Sequence, residues 1–255
     1  MHLIKAFFIA FSIYSRIPMP QFAWKEEDMK YMLCFFPWVG GVIGVCVYLW
    51  SLLCGRFGVG ALCYTLIGTA IPLLLTGGFH VDGFMDTMDA FHSWQPREKK
   101  LEILKDSHIG AFAVIMLGTY GLLYAGAFSQ LQEGALLGIF CAGFFLARCL
   151  SGIAILSFPS AKKDGMLYQF ARSAQKKTVK GVLYLQAAIC IGFMLLQSRY
   201  AGAIAAAAAG LCYAYYGYRC KKELGGITGD TAGYFVLICE AGMLAALAIV
   251  NILLV

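Results

Sequence analysis

Apolar positions along this chain gather into long blocks, separated by short polar connections. Seven blocks approach the roughly 17–25 residues that a membrane-crossing helix needs. They run about Leu33–Leu53, Ala61–Thr76, Ile109–Phe128, Ala135–Leu156, Val182–Leu196, Ala201–Tyr218 and Ala232–Val255. The second and fifth are short, so their edges are the least defined. A shorter run, Ala6–Tyr14, cannot cross; it is expected to form an amphipathic or half-buried helix on the cytoplasmic side, ending at Pro18. No small-residue cleavage site follows it, so it does not read as a signal peptide.

Composition agrees with the blocks. The 255 residues are 60% hydrophobic and only 13% charged, and the mean hydropathy is +0.74. A soluble domain carries about 25% charge. The expected class is all-α: a polytopic membrane bundle of about seven spans with a short N-terminal interfacial helix. Residues 1–255 read as one domain, because no linker, repeat or low-complexity tract divides them. The alanine run Ala205–Ala209 lies inside a span and predicts close helix packing.

The net charge of +6 suits loops facing anionic lipid. Its basic residues are split among several loops, which argues against nucleic acid. Lys5, Arg16, Lys25 and Lys30 precede the first span, and Arg97, Lys99, Lys100 and Lys105 follow the second. Lys162, Lys163, Arg172, Lys176, Lys177 and Lys180 follow the fourth; Arg219, Lys221 and Lys222 follow the sixth. The intervening connections hold only Arg56, nothing basic (Ser129–Gly134), and Arg199. This alternation predicts a cytoplasmic N-terminus and an external C-terminus. Of the ten cysteines, Cys46, Cys63, Cys141, Cys149, Cys190, Cys212 and Cys239 fall in apolar stretches, and none forms a C-x-x-C pair. They read as small buried hydrophobes.

One polar stretch breaks the pattern. "TGGFHVDGFMDTMDAF", Thr76 to Phe91, sets Asp82, Asp86 and Asp89 beside an apolar block, on the predicted cytoplasmic side. On a helix, offsets of four and seven return to one face. Three ionised carboxylates there raise one another's proton affinity unless a cation sits between them. No lysine or arginine lies between Gly77 and Pro96, so a divalent ion is the economical neutraliser. Hard oxygen ligands favour Mg²⁺ or Mn²⁺. The alternative is that these aspartates solvate a loop or cap a helix. Gly77, Gly78 and Gly83 allow either backbone approach to a phosphate or tight packing. His80 reads as a general base, a partner of an aspartate, or a satisfied polar side chain.

Two further acidic sites share the same side. "LKDSHIGAF" holds Lys105, Asp106, Ser107 and His108 just before a span. "LGGITGDTAGYFVLICE" holds Asp230 and Thr231 at the mouth of the last span, after Gly225, Gly226 and Gly229. Either Asp230 or Thr231 could be the helix N-cap; a glycine-flanked helix start is also an anion site. Glu240 and Arg148 lie inside spans, where charge is costly. Arg148 would pair with Glu240 or an aspartate, or hold a phosphate. A metal cluster with basic residues nearby suits phosphoryl transfer. No G-x-x-x-x-G-K-[ST] loop is present, which excludes P-loop chemistry.

"SRIPMP" (Ser15–Pro20), "FFPWVGGVIG" (Phe35–Gly44), "TGGFHVDGFMDTMDA" (Thr76–Ala90), "LEILKDSHIGAFA" (Leu101–Ala113) and "LGGITGDTAG" (Leu224–Gly233) resemble, in order, the motifs of the cobalamin synthase family, the adenosylcobinamide-GDP ribazoletransferases. The resemblance implies a Mg²⁺-dependent integral membrane enzyme of vitamin B12 assembly. Such an enzyme joins adenosylcobinamide-GDP to the 5′-hydroxyl of α-ribazole, or to α-ribazole 5′-phosphate, and releases GMP. It implies Asp82, Asp86 and Asp89 as metal ligands, and Asp106 and Asp230 as further ligands or orienters. Arg16, Lys105 and Arg148 become phosphate contacts, and Gly77, Gly78, Ser107, Gly229 and Thr231 further substrate-binding positions. Two departures stand out. Ala90 replaces the glycine usual after the third aspartate, and His108 stands where arginine is frequent. Membrane lipid is an expected partner; the sequence is compatible with a homo-oligomer. Three rivals remain at this level: another membrane phosphotransferase with a lipid acceptor, a transporter using Arg148 and Glu240 as coupling charges, and a structural membrane subunit.

Overall fold

In the computed structural model, which describes residues 2–162 and 165–254, all seven apolar blocks form helix. Lys163 and Val255 lie outside the described residues. Among the described residues eleven α-helices follow one another: α1 (His2–Tyr14), α2 (Phe36–Phe57), α3 (Ala61–Thr76), α4 (Phe79–His92), α5 (Arg97–Ile103), α6 (Ala111–Phe128), α7 (Gly134–Ser157), α8 (Met166–Ser173), α9 (Lys176–Gln197), α10 (Arg199–Leu224) and α11 (Gly229–Leu254). Among the described residues the only β pairing is a single bridge between Ser160 and Ile227.

Helices α2, α6, α7, α9 and α11 are long and apolar enough to cross a bilayer. The pair α3–α4, bent by 95°, adds a sixth if counted as one broken span. Helix α10 has 26 residues, ample length, but alanines and tyrosines leave it less apolar. We read α4 as lying outside the spans: at 14 residues with three aspartates it is too short and too polar to cross. Each membrane helix satisfies its own backbone donors and acceptors, which is what lets it sit in hydrocarbon.

The bundle is built around α7. In its most apolar window 83% of residues are buried inside the protein, as expected of a helix hydrophobic on all sides. Gly40 and Gly44 of α2 form a G-x-x-x-G face against it. A Cβ on either would stand 2.2 Å from a carbonyl oxygen of Phe144 or Cys141, so only glycine permits this approach. On α10, Ala201, Ala205 and Ala209 recur every four residues and are buried. This is the close packing that the alanine run predicts. Helix α9 begins at Lys176, earlier than its apolar block, because Val179 and Leu183 already bury one face while lysines take the other.

Helix α1 buries Ala6, Ile9, Ala10, Phe11 and Tyr14, and stops at Tyr14, before Pro18. Its start is tied down by His2 and Lys5, which contact the Asp28 carboxylate at 2.9 and 3.2 Å. Of the cysteines expected to be buried, Cys141, Cys149, Cys190 and Cys239 are; Cys46 and Cys212 are half-buried and Cys63 is exposed. All ten thiols are free.

Candidate functional site

Two glycines end α3 and start α4. Gly77 and Gly78 have φ of 63° and 84°, left-handed values that turn the chain sharply. Arg16 packs into this corner. Its N–H donates to the Leu75 carbonyl at 2.8 Å, and its side chain lies so close over Gly77 that a Cβ there would meet it at 2.6 Å. Arg16 is therefore at the α4 start, beside the aspartate-bearing helix.

After the turn, α4 has two faces. His80, Phe84, Thr87 and Phe91 are buried, while Asp82 is exposed and Asp86 and Asp89 are half-buried on the opposite side. The buried face crosses the first turns of α11 at very short range. A Cβ on Gly83 would stand 2.6 Å from the Asp230 carbonyl oxygen, and one on Gly233 would stand 3.1 Å from that of His80. The glycine at 83 thus serves helix packing, and that packing carries Asp230 to the α4 carboxylates. Asp86 records their proximity: burial first, then the charges of Asp82, Asp230 and Asp89, push its carboxyl up to about 6, with Lys162 pulling the other way.

Lys162 arrives by a separate device. The segment after α7 pairs with the segment before α11, through Ala161 N–H to the Ile227 carbonyl at 2.8 Å and Ile227 N–H to the Pro159 carbonyl at 2.9 Å. Gly226 allows this, since a Cβ there would meet the Pro159 carbonyl oxygen at 2.4 Å. Lys162, Lys105, Ser160, Tyr168, Thr228 and Asp230 then line one cavity of about 270 Å³. Gly229 lines it too. Lys162 is the contributor that sequence reasoning missed, because one lysine in a basic loop carries no motif of its own.

Several expected site residues have other duties. Asp89 accepts from Gly110 N–H at 2.7 Å and Ala113 N–H at 2.8 Å, so it caps the open end of α6. This is the capping alternative, supplied by a residue distant in sequence. The N-cap of α11 is Thr228, not Asp230 or Thr231. Thr228 Oγ1 accepts from Thr231 N–H at 3.2 Å, and Thr231 Oγ1 accepts from Thr228 N–H at 2.8 Å. Thr231 is fully buried in that exchange, so its hydroxyl does not face the cavity. Freed from capping, Asp230 stays in the first turn, accepting from the Thr228 hydroxyl at 3.3 Å.

Asp106 and Ser107 are exposed. The Asp106 carboxylate contacts His108 Nδ1 at 2.6 Å and accepts from its N–H at 3.0 Å, which together lower its pKa. Asp106 does not line the cavity that its neighbour Lys105 lines. Arg148 is buried deeper, donating to Glu240 at 2.7 Å and to the Phe144 carbonyl at 2.9 Å. This is the internal pair, not a contact to the lysine-lined cavity. His80 is 3% exposed and stacks on Phe36 with rings 5.8 Å apart and 5° from parallel. It faces away from the aspartates, which argues against a role as their partner or as the base beside them.

Among the described residues, no group of three or more His, Cys, Asp or Glu side chains closes round a point as a metal cage. Mg²⁺ does not require one: it is held by one or two carboxylates, waters and substrate phosphates. Asp82, Asp86 and Asp230 are hard oxygen donors on neighbouring helices that fit such an ion, and they fit zinc poorly.

Comparison with known proteins decides the lineage. Residues 6–248 match the family described as cobalamin-5-phosphate synthase. The chain belongs to the cobalamin-5-phosphate synthase family. A relative from Lachnoclostridium phytofermentans, named adenosylcobinamide-GDP ribazoletransferase, is 41% identical over 98% of this chain and 95% of its own length. Relatives of the same name from Clostridium perfringens and Listeria monocytogenes are 32% and 31% identical, over 92% and 90% of this chain and 94% and 92% of their own. No solved structure matches. Family membership sets aside the transporter and structural-subunit readings. The paired state of Arg148 and Glu240 gives the transporter reading no support.

Proposed function

We propose that this protein is an adenosylcobinamide-GDP ribazoletransferase, acting at a late step of cobalamin biosynthesis. A hydroxyl oxygen of α-ribazole, or of its 5′-phosphate, bonds to the phosphorus that carries the cobinamide arm. The bond from that phosphorus to the bridging oxygen breaks, GMP leaves with the electron pair, and the hydroxyl proton is released. In α-ribazole 5′-phosphate the 5′-oxygen is already esterified, so one mechanism that serves both acceptors uses a ribose hydroxyl other than the 5′-hydroxyl.

The observation that carries this reading is the close approach of Gly83 on α4 to the Asp230 backbone on α11, which sets the α4 carboxylates beside Asp230 and the cavity that Lys162 lines. Lys105 and Lys162 bind the diphosphate of the donor, and Asp82, Asp86 and Asp230 would hold Mg²⁺, or Mn²⁺ in its place, which would supply charge to offset that building on the phosphates. Arg16, at the α4 corner, is a further phosphate contact. The site opens to the cytoplasm, on the side assigned by the lysine- and arginine-rich loops.

The test is GMP release by the purified protein in lipid, given Mg²⁺, adenosylcobinamide-GDP and α-ribazole. Release well above a boiled control supports the assignment; none removes it.

A further inference from the structure

Beneath α4, on the side away from the aspartates, lies a second cavity of about 340 Å³. Its walls come from Thr69 and Leu73 of α3, and Tyr120, Gly121 and Tyr124 of α6. Leu73 and Gly121 are exposed at the surface of these apolar helices, so the mouth between them faces lipid. The cavity floor is polar: His80, Arg148 and Glu240.

That floor is incompletely satisfied. Both ring nitrogens of His80 and the Nε of Arg148 are buried without a hydrogen-bond partner. His80 is 3% and Arg148 1% exposed. Buried polar atoms are ordinarily paired, and unpaired ones are expensive. An acyl chain would fill the apolar walls and leave all three atoms unpaired. A flat heterocycle with a ring nitrogen and nearby hydroxyls would satisfy both parts. The size points the same way: about 340 Å³ lies near the lower end of the roughly 300–1,000 Å³ typical of small-ligand pockets. A corrinoid carrying a nucleotide would not enter.

Shared wall residues relate the cavity to the phosphate side. A smaller cavity of about 50 Å³ shares His80 with it, and shares Leu167 and Gly229 with the cavity at Lys105, Lys162 and Asp230. The His80 ring stands between the two.

Resting on the proposed activity, we infer that the cavity beneath α4 receives the flat, apolar benzimidazole base of the ribazole acceptor from the membrane side, with His80 and Arg148 hydrogen-bonding its free ring nitrogen and ribose hydroxyls. His80 is then a substrate-binding residue, through its nitrogens and not as the base.

Two variants of the full-length protein test this. His80→Phe keeps a ring on Phe36 but removes both nitrogens. Gly121→Leu narrows the mouth at a position where a Cβ meets nothing within 4 Å. Both are expected to raise KM for α-ribazole about tenfold or more, and to weaken its equilibrium binding in parallel. KM for adenosylcobinamide-GDP should stay within about twofold. Benzimidazole alone should compete with α-ribazole for wild type. Unchanged α-ribazole KM and binding in both variants, with wild type still releasing GMP, overturns the cavity assignment and leaves the activity standing. An acyl chain seen in the cavity while α-ribazole binds elsewhere also overturns it. If wild type releases no GMP yet binds α-ribazole in a manner weakened by His80→Phe, the activity falls and the cavity stands.

Discussion

Gly83 lies against the backbone of Asp230, so closely that a Cβ at 83 would stand 2.6 Å from the Asp230 carbonyl oxygen and 2.9 Å from its Cα. Backbone, unlike the tip of a flexible side chain, cannot step aside cheaply. The crossing of α4 and α11 is therefore set by the absence of one methyl group, and with it the spacing between the α4 carboxylates and Asp230. Gly83→Ala is expected to push the helices apart. Overpacking of this kind costs about 1–3 kcal/mol. GMP release should fall at least about tenfold, while the purified variant stays folded with a lower Tm. Wild-type turnover with an unchanged Tm would show that the crossing is not so tight.

Asp82 and Asp230 reach the same cluster from different helices and neither is occupied as a cap. Asp82→Asn and Asp230→Asn should each reduce turnover by about 10²-fold or more, the scale of losing one electrostatic contact in phosphoryl transfer. Membrane insertion and thermal stability should be close to wild type. Near-normal turnover of either variant would remove that residue from the site.

Asp89 should behave differently, although it lies on the same stripe. Its two oxygens hold Gly110 and Ala113 N–H at the head of α6. Asp89→Ala should destabilise the protein by about 0.5–2 kcal/mol, as loss of an N-cap does. Asp89→Asn, which keeps one acceptor, should recover part of that stability and retain measurable turnover. A thermal melt together with an activity assay separates the two roles. A stable but inactive Asp89→Asn would restore the metal-ligand reading.

The Arg148–Glu240 pair is buried on both sides, with side chains 2% and 5% exposed. Removing one partner strands the other charge. Arg148→Met or Glu240→Leu alone should cost about 3–5 kcal/mol, and the double variant should regain much of this. Stability of the three variants by thermal melt reads this directly. Equal losses in the single and double variants would mean that the two charges do not support one another.

Asp86, whose carboxyl is pushed up to about 6, sets a pH dependence. A carboxylate with a raised folded pKa favours the folded state while protonated. In metal-free protein its contribution is therefore full below the ordinary value near 3.8 and is lost as pH rises through about 6. The Tm of metal-free protein should fall across that window, and Mg²⁺ should raise it again above pH 6. A Tm that rises through the same window would contradict the burial and the neighbouring carboxylates that raise Asp86.

The helices were legible from apolar blocks because bilayer thickness imposes one length on all of them. The α3 block, Ala61–Thr76, coincides with the observed helix. The stripe of Asp82, Asp86 and Asp89 was legible too, since helical periodicity puts them on one face. That same periodicity puts His80 on the other face, which a reading confined to the acidic residues passes over. The rest depends on contacts distant in sequence. Nothing local says that Asp89 would cap a helix beginning 22 residues later, or that Thr228 would free Asp230 by taking the cap. The approach of Lys162 depends on the pairing of Ala161 with Ile227, two loops from opposite parts of the chain. The 95° turn at Gly77–Gly78 is signalled by glycine, but its angle is set by what α4 packs on.

On the proposed mechanism, carboxylates from α4 and α11 share one hard cation at the phosphate site. Titrating GMP release with Mg²⁺, for wild type and for Asp230→Asn, tests it most directly. No release is expected in EDTA, with recovery on adding Mg²⁺, and Asp230→Asn should need at least about tenfold more Mg²⁺ and reach a lower maximal rate. Full activity in EDTA, or a Mg²⁺ dependence identical in the two proteins, would contradict it.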